Sequence, residues 1–221
     1  MIDKLFQTVQ AEIDKEQMDY LRPMYFNLYL NASLFEVFNK LLSDVKVHTR
    51  KSNWMLDGKN LADFSENIKQ FLEHYLTYSE NNISRETGGY FNLPSNLSFI
   101  KDVLVNEIVF AEKTDLEDFN LLKRNSYSPP TESSPICTKI GTTILLEPKT
   151  IDTINLYYLR TPARANWTFT EVDGKPMFDA SKSDFKDIDA PELLFDELLK
   201  GVLMKAGVST RDTTLIQAVA Q

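Results

Sequence analysis

A single cysteine, Cys137, excludes an intrachain disulfide. Two histidines, His48 and His74, leave little from which to build a metal site, and no His-x-x-x-His or Cys-x-x-Cys pair occurs. No glycine stands where a phosphate-binding loop needs one before Lys-Ser or Lys-Thr. The Gly-x-Gly-x-x-Gly turn and the Gly-x-Ser-x-Gly nucleophile elbow are also missing. Long apolar runs are lacking too, since no window approaches the roughly 20 residues of a membrane span. Met1-Ile2-Asp3-Lys4 is not a basic region followed by an apolar one, which predicts no signal peptide, and the lone cysteine fits synthesis in a reducing cytoplasm. On that ground the glycosylation-type triplets at Asn31, Asn82, Asn96 and Asn166 are read as chance in a chain rich in Asn, Ser and Thr. Basic clusters are short and isolated (Arg50-Lys51 and Lys123-Arg124) in a chain of net charge −8. Tight nucleic-acid binding needs many cations against phosphates, so an acidic surface repels DNA. No cofactor and no enzyme activity are expected.

What is present is a 221-residue chain, 43% apolar, long enough to bury a substantial core without a disulfide or metal. Ile2, Leu5, Phe6, Val9 and Ile13 form a helical stripe. After Pro23 a second helix carries Leu34, Phe35, Phe38, Leu41, Leu42 and Val45, and Lys46 to Asn60 reads as a polar connector ending at Asp57-Gly58. Leu61 to Tyr78 reads as helix again. Gly88-Gly89 then changes the pattern. Tyr90 to Leu93 is extended, Pro94-Ser95-Asn96 is a turn, and Val103 to Phe110 predicts a hairpin around Asn106-Glu107. Asp115 to Arg124 predicts a short helix, and Asn125 to Pro135 a loop. Thr142 to Leu146 and Ile154 to Leu159 are strands joined by a turn over Pro148 to Asp152, and Trp167 to Thr170 adds an edge strand.

The C-terminal segment returns to helix. Asp189 is expected to cap it, with Pro191 in the first turn and Glu192 as reciprocal partner. Leu194, Leu198, Val202 and Ala206 share a face, Gly207 ends the helix left-handed, and Ser209 with Asp212 starts another helix holding Leu215, Ile216 and Val219. The fold class is therefore α+β: residues 1–87 are helical, 88–188 form an inserted antiparallel β-rich region, and 189–221 return to complete a helical bundle.

Few residues suggest chemistry. Asp179, Ser181, Ser183 and Asp187 have the spacing of a calcium loop, but Asp184 stands where the turn needs glycine and Ala190 where the bidentate Glu belongs. The segment reads as a solvated acidic turn. Cys137 has no neighbouring histidine and reads as a buried, inert thiol. Among 32 acidic residues the sequence selects no catalytic pair. Trp167, Tyr157, Tyr158 and Phe169 compose either a stacking platform for a glycan or base, or part of a core or subunit interface.

Two stretches carry a family resemblance. One runs from Phe91-Asn92-Leu93-Pro94 through Pro135-Ile136, Gly141 and Pro148 to Leu156-Tyr157-Tyr158-Leu159-Arg160-Thr161-Pro162 and Trp167. The other holds Glu192-Leu193-Leu194, Leu198-Leu199, Ala206-Gly207-Val208, Arg211-Asp212 and Gln217-Ala218. Their order, over about two-thirds of the chain, resembles the head-to-tail connector or ring proteins of podovirus-like and crAss-like tailed bacteriophages. The resemblance implies a virion structural protein at the head–tail junction or in the tail, made in the host cytoplasm and without catalytic residues. It implies homo-oligomeric rings, commonly of twelve copies, that contact the portal and other tail or ring proteins, bind no membrane and pass DNA through a channel. Tyr157, Arg160, Trp167, Leu215 and Ile216 are the residues expected at the subunit interface. Arg160 closes a strand before Thr161-Pro162, and tryptophan and arginine are enriched at interface hot spots. The alternative is a phage tail or surface module that binds a glycan on its aromatic residues.

Overall fold

The computed structural model describes residues 1–15, 20–54, 66–79, 82–106, 108–172 and 175–207. Two compact units emerge. One combines Met1–His74 with Pro162–Gln221, and the other is Tyr75–Thr161. The α+β class holds. The chain passes from one unit to the other after His74 and after Thr161, so the segment after Thr161 groups with the helices.

In the first unit, α1 (Ile2–Lys15) buries all five residues of its predicted stripe. Helix α2 (Pro23–Trp54) begins on proline, whose missing amide costs nothing in a first turn. Its apolar positions Phe26, Leu30, Leu34, Phe38, Leu41 and Val45 recur every three or four residues and are buried. The connector expected from Lys46 is instead helical as far as Trp54. No glycine or proline interrupts residues 46–54, and extending a formed helix costs little once it is nucleated. Asp57-Gly58 lies outside the described residues. Helix α3 (Glu66–Tyr75) sets Phe71 5.3 Å from Phe38.

Helix α4 (Leu116–Lys123) belongs to the second unit, and α5 (Phe195–Lys205) returns to the first, where it packs on α1 and α2. Leu198 and Val202 are fully buried. Gly201 faces Ser33 of α2 so closely that an added Cβ would stand 2.8 Å from Ser33 Oγ and 2.9 Å from its Cβ. A larger residue there would force the two helices apart. Gly207 follows at φ +81, as expected of a left-handed helix end. The Asp189 capping box does not form. A single 3-10 turn, Glu192–Leu194, precedes α5 without a side-chain cap. Asp189 instead places one carboxylate oxygen 2.9 Å from His74 Nε2 and accepts the Ala163 N–H with the other at 2.8 Å. A partner 115 residues away has displaced the local one.

The second unit is a sandwich of two sheets around one core. Its strands are β1 (Leu76–Tyr78), β2 (Ile83–Ser84), β3 (Tyr90–Asn92), β4 (Leu97–Val105), β5 (Val109–Phe110), β6 (Glu112–Lys113), β7 (Ile136–Ile140), β8 (Thr143–Glu147) and β9 (Thr153–Arg160). One sheet has the order β1-β9-β4-β5, with β2 also on β9, and the other has the order β3-β8-β7-β6. Val103 and Leu156 of the first sheet share a core with Phe91, Ile144 and Leu146 of the second. Three sequence expectations change here. Leu76–Tyr78, read as the end of a helix, pairs with Leu159–Tyr157 instead, because β9 offers a ladder that helix propensity cannot match. The turn over Pro148 to Asp152 does not make a hairpin, since it carries the chain from β8 in one sheet to β9 in the other. Strand β7, not anticipated, occupies the segment after Pro135. The hairpin at Asn106 (φ 49) and the short helix after Asp115 form as expected.

Candidate interaction site

The helical unit is organised by two asparagines one helical turn apart. Asn31 donates to the Ala165 carbonyl and accepts the Ala165 N–H, both at 2.9 Å. Asn27 donates to the Trp167 carbonyl at 3.0 Å and accepts the Trp167 N–H at 2.9 Å. Four helical residues advance about 6 Å, and two extended residues advance about 6.6 Å. Side chains at i and i+4 therefore reach alternate residues of a strand-like segment. The intervening Asn166 turns the other way, and its N–H and C=O pair with Lys186 at 2.8 and 3.2 Å. Asn31 and Asn166, which the sequence offers as glycosylation-type triplets, are thus committed to this strut.

The strut fixes Trp167. Its ring stacks on Phe6 at 4.0 Å and lies within about 6 Å of Phe169 and Phe178, while Nε1 donates to Asp3 at 3.1 Å. Phe169 and Phe178 are opposite residues of a hairpin made by β10 (Phe169–Val172) and β11 (Lys175–Phe178). The expected edge strand at Trp167 to Thr170 thus begins two residues later and has a partner strand. Trp167 is 2% exposed, so its ring is committed inside its own unit.

A groove of about 640 Å³ opens beside this strut, between the first turns of α2 and the outer edge of β10. Pro23, Met24 and Phe169 give it an apolar floor, the buried Trp167 borders it, and Glu171, Lys182 and Asp184 line it with charge. Met24 is 79% exposed and Leu28, one turn on, 60%. Lys182 is committed, because its ammonium donates to the Phe169 carbonyl at 2.5 Å and lies 5.8 Å from the Phe169 ring centre. Asp184 Oδ2 accepts from Asn166 at 3.3 Å, and Glu171 makes no ion pair among the described residues.

Behind the groove, Asp179 accepts from the Ser181 and Thr170 hydroxyls (both 2.6 Å) and the Ser181 amide (3.0 Å). Those bonds, the Ser181 hydroxyl foremost, hold its carboxyl down to about 2. The calcium-like spacing therefore belongs to a self-satisfied turn. Asp187, its distal member, binds the N-terminal ammonium at 2.9 Å and the Ile2 and Ile188 amides at 2.8 Å. Burial pushes its carboxyl up, but these donors outweigh burial and lower it overall. No group of three His, Cys, Asp or Glu side chains able to hold a metal occurs among the described residues, and none of their helices is long and apolar enough to cross a membrane.

Of the other residues expected at the interface, Tyr157 and Arg160 both lie on β9. Tyr157 is half-buried, 4.8 Å from Tyr78 across the β1–β9 ladder. The Arg160 guanidinium lies 5.3 Å over the Tyr75 ring at the end of β9. Leu215 and Ile216 lie outside the described residues. Cys137 is buried, and that burial pushes its thiol up to about 12 despite a nearby Lys113, so it stays protonated. Two structural features had no sequence signal. One is the asparagine strut. The other is Arg85, which donates to the carbonyls of Ile151, Gly89, Leu146 and Pro148 at 2.8–3.3 Å and covers the Phe91 ring. The chain matches no protein-family profile and no curated protein sequence.

Proposed function

We propose that this chain is a structural subunit of a phage head-to-tail connector. In this reading, copies of it close into a ring, twelve in number by the family resemblance, between the portal and the other tail or ring proteins of the virion. The terminal helices act as a rigid bundle that spaces the subunits, and DNA passes through the channel without sequence-specific contact. The observation that carries the reading is that each unit leaves its own large apolar side chains in solvent. In the helical unit these are Met24 and Leu28 with Val172 and Met177 of the hairpin, and in the sandwich they are Ile108, Phe110 and Tyr127. A head-to-tail ring joins two different surfaces of the same chain, so it needs two such places. The net charge of −8 suits a wall past which DNA slides. The glycan-binding alternative has less support, because Trp167 offers no open face for a sugar ring to stack on.

Particle mass and negative-stain images of the purified chain, alone and with a portal, test the reading. Closed rings of many copies are expected. A monomer at every concentration, with or without portal, would overturn it.

A further inference from the structure

We propose that the groove beside β10 receives the Arg124–Pro130 loop of a second copy of this chain, with Tyr127 as the knob. This deepens the connector reading and rests on it. Tyr127 is 99% exposed, yet it is not on a loose loop. Asn125 Oδ1 accepts the backbone amides of Tyr127 at 3.0 Å and Ser128 at 3.4 Å, and Pro129-Pro130 follows with φ fixed by two rings. An exposed aromatic on a pre-ordered turn loses little entropy when it docks. Tyrosine and arginine are two of the three residue types most enriched where binding energy concentrates.

The receptor complements this loop. Its apolar floor of Pro23, Met24 and Phe169 takes the ring, and its acidic side chains Glu171 and Asp184 face a loop led by Arg124. Lys182, the groove's one lining cation, is already turned onto the Phe169 carbonyl. Arg124 makes no ion pair among the described residues, so both it and Glu171 are available.

The test is sedimentation of the full chain over a concentration series, with thermal melting as the folding control. Tyr127→Ala and Met24→Glu, both at exposed positions, are expected to keep the wild-type melting temperature and to weaken self-association roughly thirtyfold, the loss of one hot spot. Arg124→Glu and Glu171→Arg are each expected to weaken it, and the double variant to recover most of it. A wild-type chain that never assembles, alone or with portal, removes the connector reading and this one together. A chain that assembles and is indifferent to all four substitutions leaves the connector reading standing and removes the knob and groove. Loss of portal capture alone, with self-association intact, assigns the groove to the portal and also overturns this proposal.

Discussion

Asn31 illustrates how one residue decides more than its propensity suggests. In an apolar helix an asparagine looks like a weak point, since it competes for backbone hydrogen bonds. Here its amide satisfies both backbone groups of Ala165, a residue that is 3% exposed. Asn31→Ala leaves a buried donor and acceptor unpaired, each costing about 1–3 kcal/mol. Urea unfolding should register a loss of about 2–6 kcal/mol on that basis, and Asn27→Ala should be non-additive with it because the two share one segment. Asp179 gives a pH signature at the same scale. Its carboxyl is held near 2 in the folded chain, below the ordinary 3.8. A folded value lower than the unfolded one adds stability that is complete above about pH 4 and is lost as pH falls toward 2. Between those values the wild type should lose stability more steeply than Asp179→Asn, as read from denaturation midpoints. Equal slopes would show that the hydrogen bonds around Asp179 do not favour its ionised form.

Between elements, packing separates residues that sequence makes look equal. Leu198 sits at the centre of the α5 face, 0% exposed, whereas Glu192 lies on the exposed 3-10 turn and caps nothing. Leu198→Asp buries an unpaired carboxylate at a cost of several kcal/mol, and Glu192→Ala should change stability by less than about 0.5 kcal/mol, as at ordinary surface positions. A comparison of melting temperatures checks both, and similar values would contradict the placement of α5. The periodicity of α5 was legible because a buried stripe is a local pattern. The absence of a cap at its start was not, because Asp189 had an alternative partner in His74 that no window of sequence contains.

For the whole molecule, a charge of −8 with only short basic pairs predicts weak binding to duplex DNA. Gel shifts at 150 mM salt should show no retained complex at micromolar protein. Tight, salt-sensitive retention would mean that the lysines and arginines gather in space despite their scatter in sequence, and would argue against a non-adhesive channel wall. Assembly is the other whole-molecule expectation, and in the connector reading proposed above it would draw on surfaces from both units.

Features whose causes lie within a few residues could be read from the chain alone. These include the stripes of α1, α2 and α5, the turn at Asn106, the short helix after Asp115 and the left-handed stop at Gly207. Each follows from the steric rules of one turn or the period of one face. Long-range contacts settled the rest. They placed β8 and β9 in different sheets, drew Leu76–Tyr78 out of a helix into a ladder, and set Trp167 in a core rather than on a surface. They also gave Asn27, Asn31, Arg85 and Asp189 their partners. In each case the deciding hydrogen-bonding or packing partner lies tens to more than a hundred residues away. A polar side chain carries no mark of which distant backbone group it will satisfy until the fold brings that group within 3 Å.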